Sequence, residues 1–274
     1  MISKRIGKKI YESGLFIFAR PSMQKFNEIA FRVIIGGLGY VNFSEDFRLT
    51  GEKKLLKILT TFGLNEILDV GANSGQWARM ALNNTHAKIM SFEPQSIPFK
   101  NLTKLKSEYP SRIELVNMGL GEKSSELEIF IHDSSSELSF IHYEIQKLPL
   151  LEGRALKKEK IKIVSLDAFM RDNQDFKNFD LIKIDTEGYE LEVLLGAKEY
   201  IEMHKPKFIQ IEMNWHQLYR SVTLLKFSEL LKNYDVFQIL PYGRVIHRID
   251  PNAPVRNIFQ LSNFLFARKD INLN

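Results

Sequence analysis

Two segments carry residue types and spacings able to do chemistry. The first is Asp69-Val70-Gly71-Ala72-Asn73-Ser74-Gly75, which follows a short apolar run and opens a helical pattern. Gly71 permits a tight turn, Gly75 lets the helix approach the sheet closely, and the free N–H groups at the helix start favour a polar or anionic ligand group. Glu93 ends the next apolar run, where a carboxylate can accept hydrogen bonds from both hydroxyls of a ribose. The second segment is Lys183-Ile184-Asp185-Thr186-Glu187-Gly188-Tyr189-Glu190. In extended chain, alternate residues share a side, so Lys183, Asp185 and Glu187 point one way, with Asp185 nearest a cleft at the strand end.

A strand, a glycine turn and a helix suit two cofactors, a nicotinamide dinucleotide and S-adenosylmethionine. Three features favour the second. Asn73 replaces the middle glycine that admits a pyrophosphate. Asp69 stands just before the turn, where a carboxylate suits a cationic amino-acid ligand better than two phosphates. The chain also ends on a plausible antiparallel strand. A bare turn without ligand, or a cleft kept for binding alone, is the non-enzymatic alternative.

Asp185 and Glu187 allow two chemistries. One carboxylate can act as a base, its pKa raised by burial or by its neighbour. The pair can instead hold a divalent cation through oxygen ligands and acidify a bound hydroxyl, with Glu212 as a third ligand from the next strand. We favour metal-free chemistry. The structural alternative is a Lys183–Asp185 ion pair with Glu187 capping the helix start, and for Glu190 a structural role is preferred. His216, in Glu-Met-Asn-Trp-His-Gln, is a plausible general base near neutral pH. Asn214 and Trp215 can bind a sugar by hydrogen bonding and stacking. His132 and His142 flank a polar stretch that could close over the site, whereas His86, His204 and His247 read as loop or surface residues.

These residues need a scaffold. EILDV (66–70), KIMSF (88–92), IELVNM (113–118), FDLIKID (179–185), KFIQIEM (207–213) and YDVFQIL (234–240) are short apolar strands separated by helical patterns. That alternation means a parallel α/β sheet with right-handed crossovers. RVIHRI (244–249) and NIFQLSNFLFARK (257–269) read as late antiparallel strands, and ELEIFIH (126–132) alternates like an added exposed strand. Helices are expected near Leu166–Met170, over Leu191–Leu195 and over 223–232. Residues 133–160 are polar and irregular and read as a loop or lid. A helix over 22–35, with Phe26, Ile29, Ala30, Val33 and Ile34 at helical spacing, is expected to dock one face on the body. A second helix starts at Thr50-Gly51-Glu52, and Gly63 closes it.

The chain has 274 residues, 44% hydrophobic and 26% charged, with ample length for a buried core. It has no cysteine, which removes disulfides, thiolate metal sites and cysteine nucleophiles and fits the cytoplasm. The net charge of +5 is uneven. Residues 1–32 hold Lys4, Arg5, Lys8, Lys9, Arg20, Lys25 and Arg32 against Glu12 and Glu28, and the remainder is balanced. The body therefore lacks the basic face of a nucleic-acid binder. The leader, with Tyr11, Phe16 and Phe18, is either a solvated helix or arm, or a contact with an anionic membrane surface. Its apolar run is too short for a signal peptide.

Taken together, ILDVGANSGQWA, SFEP, VNMGLGEKSSELEIFIH, VSLDAF and FDLIKIDTEGYELEVLLGA, in this order, resemble the FkbM-type S-adenosylmethionine-dependent methyltransferases over about residues 50–215. Tyr40 through Glu52 is similar to the lead-in segment of members linked to surface polysaccharide synthesis. The resemblance implies a Rossmann-like, mostly parallel seven-stranded sheet over 50–274 with an antiparallel last strand, after a basic helical extension over 1–49. It implies O-methylation of a hydroxyl, here most simply on a sugar of a glycan or glycolipid precursor. Asp69, Gly71, Ala72, Asn73, Gly75 and Glu93 would hold the cofactor. By analogy of fold, Asn117 and Met118 would lie by the adenine, and Glu52 would either reach the cofactor's amino group or serve its own helix dipole. Asp185, Glu187 and His216 are the candidates for proton removal or acceptor alignment. The nicotinamide oxidoreductase and the cofactor-cleft binding module are the rival readings. Substrate choice is expected in the leader and the last ~60 residues, which match less clearly.

Overall fold

The computed structural model describes residues 4–40, 46–132, 135–140, 156–173, 178–241 and 246–273. Two helices lead, α1 (Lys4–Phe18) and α2 (Gln24–Gly37), joined by a 3-10 turn at Pro21–Met23. α3 (Glu52–Thr60) precedes β1 (Glu66–Val70), α4 (Gln76–Asn84), β2 (Lys88–Phe92), α5 (Ser96–Glu108) and β3 (Ile113–Val116). β4 (Gly119–Leu120), β5 (Ser125–His132), β6 (Ser135–Phe140) and β7 (Leu156–Val164) follow. The second half runs α6 (Leu166–Asp172), β8 (Leu181–Ile184), α7 (Glu190–Leu195), α8 (Lys198–His204), β9 (Phe208–Met213), α9 (His216–Arg220) and α10 (Leu224–Leu230). It closes with β10 (Tyr234–Ile239), β11 (Ile246–Arg248) and β12 (Ser262–Arg268).

The main sheet has the order β11-β10-β12-β9-β8-β1-β2-β3. β3, β2, β1, β8 and β9 pair in parallel. β12 runs antiparallel to both β9 and β10, so β9 and β10 share one direction. A Rossmann-like sheet with an antiparallel last strand is thus present. It holds eight strands where seven were expected, because the three-residue β11 adds an antiparallel edge to β10. The strands are apolar on both faces, as parallel strands covered on both sides must be. Alternation sorts their side chains into two cores. Leu68, Ile182, Ile209 and Phe266 belong to one, and Ile67, Leu181, Phe208 and Leu265 to the other. Each such fully buried side chain contributes about 1.5–3 kcal/mol. On the second face the same alternation brings Asp69, Lys183 and Gln210 side by side in register.

ELEIFIH is a strand of a separate four-stranded sheet, β4-β7-β5-β6, whose small core is Ile129, Ile161 and Ile163. Two expectations need correction. The polar stretch 133–160 is strand at 135–140 and again from Leu156, where the Lys/Glu alternation of β7 pairs antiparallel with β5. Residues 141–155, with His142, lie outside the described residues. The helix over 22–35 does form, but it does not dock its apolar face. Phe26, Ile29, Val33 and Ile34 are exposed and only Ile35 is buried. Helical spacing shows that a helix is amphipathic, not that the fold supplies a partner for its face.

Candidate functional site

The glycine turn at the C-terminal end of β1 uses the left-handed region at alternate residues. Gly71, Asn73 and Gly75 have φ of 81°, 47° and 85°. Asn tolerates that region, so its presence in place of glycine does not prevent the turn. A Cβ on Gly71 would lie 1.8 Å from the carbonyl oxygen of Asp185, so only glycine lets the turn of β1 touch the end of β8. At Gly75 a Cβ would meet Leu102 at 2.6 Å. The close approach expected there is therefore to α5, not to the sheet. The N–H groups of Gly71 and Ala72 donate to the carbonyl of Phe92, which extends the β1–β2 pairing into the turn.

Glu93 follows β2 with 3% of its surface exposed. Its carboxylate accepts from the backbone N–H of Asn73 (2.8 Å) and of Gln95 (2.8 Å). Burial pushes its pKa up to about 7, against the pull of these two donors. Asn117 is exposed and donates to the carbonyls of Glu93 (2.9 Å) and Pro94 (3.2 Å), so it fixes the loop that carries Glu93. Met118 is half-buried against the first core. Asp69 is fully buried, and neither of its carboxylate oxygens has a hydrogen-bond partner. Burial raises its pKa to about 6, with the Lys183 ammonium 3.8 Å away opposing the rise.

The Lys183–Asp185 pair exists, at 2.9 Å. Burial disfavours the ammonium, but Asp185, Asp69 and Glu52 together outweigh it and hold Lys183 above the usual lysine range. Glu187 and Gly188 both adopt positive φ, 53° and 102°, and turn the chain so that Glu187 faces back toward β9. Glu187 Oε2 accepts from Asn214 Nδ2 at 2.9 Å and lies 3.2 Å from His216 Nδ1. His216 is buried, and its Nδ1 also meets Asn214 Oδ1 at 2.5 Å. Both neighbours of Nδ1 are acceptor oxygens, so Nδ1 is the ring nitrogen that carries the proton when the imidazole holds one. A Cβ on Gly188 would lie 2.7 Å from the Cβ of His216. Gly188 therefore makes room for the histidine.

One expected role is not seen. Glu187 does not cap α7, whose start has no side-chain cap. Glu190 instead holds the turn before the helix, accepting from Thr186 N (2.9 Å), Thr186 Oγ1 (3.0 Å) and Gly188 N (3.1 Å). Asn214 is buried, with its Oδ1 accepting from His216 N and one of its two Nδ2 hydrogens donated to Glu187. Trp215 is half-buried with its ring 5.5 Å from that of His216. Glu52 is buried, accepting from Thr50 Oγ1 (2.9 Å) and Gln210 Nε2 (2.8 Å), and so ties α3 to β9. Among the other histidines, His204 stacks on Tyr200, His86 and His247 are exposed, and the side chain of His132 is outside the described residues.

Asp185, Glu187 and Glu212 each offer an oxygen, and these lie within 4.8 Å of one another. The third carboxylate for a divalent ion is thus in place. Glu212 is raised well above the usual glutamate range by burial and by Asp185 and Glu187. Buried polar side chains missed in the sequence complete the network. Gln210 Nε2 donates to Glu52 and Asn263, and Gln217 bridges Asn214 N and Glu190. The signal for Gln210 was present, since Gln210, Glu212 and Asn214 place a polar group at every second position of an apolar strand. Among the described residues, this edge of the sheet gathers Glu52, Asp69, Glu93, Asp185, Glu187 and Glu212 around Lys183 and His216.

Residues 69–238 match the Methyltransferase FkbM domain. The chain is also similar to the hexuronic acid methyltransferase AglP of Haloferax volcanii, at 27% identity over 168 residues. That match covers 61% of this chain and 64% of the relative, so the chain spans under two thirds of that protein. Among solved structures, a precorrin-6y C5,15-methyltransferase from Geobacter metallireducens matches with a TM-score of 0.41 at 11% identity, covering 80% of this chain and 89% of that one. The ribosomal protein L11 methylase of Lactobacillus delbrueckii subsp. bulgaricus matches with 0.40 at 12% identity, over 80% and 78%.

Proposed function

The chain belongs to the FkbM methyltransferase family, and from that premise we propose that it is an S-adenosylmethionine-dependent O-methyltransferase acting on a sugar hydroxyl of a glycan or glycolipid precursor. The observation that carries the cofactor reading is the excess of carboxylates at the sheet edge, above all the fully buried Asp69, whose oxygens accept no hydrogen bond and which shares the Lys183 ammonium, 3.8 Å away, with Asp185. A buried carboxylate without a hydrogen-bond donor is costly, and a donating or positive ligand offsets that cost. A diphosphate would meet repulsion there, and a cationic ligand would meet compensation. Bound S-adenosylmethionine supplies an electrophilic methyl on a cationic sulfur.

The chain's own residues then divide the work. Asp69 faces the cationic part, and the turn from Gly71 through Ala72 and Asn73 to Gly75 offers its backbone edge. Glu93 accepts from ribose hydroxyls with the lone pairs that Asn73 and Gln95 leave free, while Asn117 and Met118 border the adenine. His216 takes the acceptor hydroxyl's proton at Nε2, because Glu187 and Asn214 hold the proton already on Nδ1. Glu187 steadies the imidazolium that results, and Asp185 aligns the acceptor. We favour this metal-free route over a divalent ion, because Lys183 already neutralises Asp185 and two donors already engage Glu187. The hexuronic acid in the name of the Haloferax relative supports a sugar acceptor.

The test is transfer of a labelled methyl group to a panel of sugar nucleotides and lipid-linked glycans, with and without chelator. We expect alkali-stable methyl ether on at least one sugar and no loss with chelator. Methylation of nitrogen or carbon acceptors only would refute O-transfer, and abolition by chelator would refute the metal-free route.

A further inference from the structure

The two leading helices present an apolar and basic surface that is exposed among the described residues. On α2, Phe26, Ile29 and Val33 form one stripe at three- and four-residue spacing. Ile29 is 65% exposed and Val33 71%. Tyr11, Leu15, Phe16, Ile17 and Phe18 of α1 are exposed as well. The helices are locked at their elbow. Asn27 Nδ2 donates to the carbonyl of Phe18 at 2.7 Å, and the rings of Phe18 and Phe26 stack at 5.8 Å. Tyr11, Leu15 and Phe18 share one face of α1 by helical spacing, and at the elbow that face meets the α2 stripe at Phe26. A patch of this kind on a folded chain marks an interaction surface.

Its tether lies on the edge of the sheet that carries the site. Ile35 and Tyr40 are buried in the first core, and Tyr40 Oη donates to the carbonyl of Val255 at 3.4 Å. Gln238 Nε2 donates to the carbonyl of Gly39 at 3.1 Å, near the C-terminal end of β10. Because β10 runs with β9, this is the end where Asn214 and His216 sit.

We propose that the α1–α2 arm docks on an anionic lipid surface, in the plane of the membrane. Charge selects this occupant over a second copy of the chain. The seven Lys/Arg and two Glu of residues 1–32 place the whole net charge of +5 on the arm. Pairing two such arms about a two-fold axis would set like charge against like. An anionic leaflet attracts the charge and covers the apolar stripe. No helix among the described residues is long and apolar enough to cross a membrane, which fits binding in the interface.

The experiment is co-sedimentation of the full chain with vesicles of phosphatidylcholine alone, and with about one phosphatidylglycerol in four. Binding to the anionic vesicles should be about tenfold stronger or more, and should fall steeply in ~0.5 M salt. Ile29→Glu/Val33→Glu, at two exposed positions, should keep the wild-type melting temperature and lose about tenfold in vesicle binding. Lys8→Glu/Lys9→Glu should also weaken binding and flatten its salt dependence. Equal binding to both vesicle types would overturn the proposal. Wild-type vesicle binding by the Ile29/Val33 variant would do the same. So would a dimer in sedimentation equilibrium that this variant dissolves, with no vesicle binding by the wild type.

Discussion

Glu93 is the residue whose environment makes the sharpest demands. Its pKa of about 7 lies above the usual glutamate value of 4.5, so the folded protein keeps a proton that the unfolded chain has lost. That contribution to stability is present below about pH 4.5 and is lost as pH rises through about 7. It amounts to at most about 3 kcal/mol. Denaturant titrations of wild type and Glu93→Gln at pH 5 and 8 should show the wild type losing stability relative to the variant at the higher pH. Hydroxyl donors favour the ionised carboxylate, so affinity for S-adenosylhomocysteine should rise between pH 6 and 8. Glu93→Ala should weaken that affinity by about 1–3 kcal/mol, and calorimetry showing no change would remove the residue from the site. His216→Asn should lower kcat about 10²–10⁴-fold with cofactor affinity intact, and equal losses in both would point to a structural histidine. The sequence displayed these side chains but not their partners. Glu187 and His216 are far apart in the chain, and only the positive φ at Glu187 and Gly188 joins them. Asn214 looked available for a sugar because its bond to Glu187 depends on that same turn.

At the scale of elements, the strands and turns that position the site were legible, because parallel strands buried on both faces are short apolar runs. β1, β2, β8, β9 and β12 fall where their Val/Ile/Leu/Phe runs put them. α8 and α9 escaped notice because they bury almost no apolar residues, only Tyr200 in α8 and the polar His216 and Gln217 in α9, so no apolar period shows. β7 was hidden because its outer half reads LKKEK, polar on a side with no core to cover it. Two elements invite direct tests. Arg112, ahead of β3, donates to the carbonyls of Leu82, Thr85 and Ala87 at the end of α4. Arg112→Leu should cost about 2–3 kcal/mol of stability while leaving cofactor affinity unchanged, since the clamp is remote from the carboxylate-rich edge. Gly188→Ala combines a positive φ with a clash on His216. It should cost about 1–3 kcal/mol by chemical denaturation and reduce kcat well beyond what that loss explains.

For the whole molecule, the division of labour follows from the sheet. One edge of a two-faced, mostly parallel sheet collects the ends of β1, β2, β8 and β9, and nearly every candidate residue projects from those ends. The arm was the part least legible from sequence. Periodicity reported an amphipathic helix, but whether an apolar face is covered depends on what packs against it, and here it is exposed among the described residues. The central claim is that the sheet edge, rich in carboxylates, accepts an adenosyl ligand that carries an amino-acid ammonium group, and not a diphosphate. Calorimetric titration of the full chain at pH 8 with S-adenosylhomocysteine, and separately with NAD, addresses it most directly. We expect saturable binding of the first at about one per chain and no binding of the second. Saturable NAD binding with no heat from S-adenosylhomocysteine would contradict it.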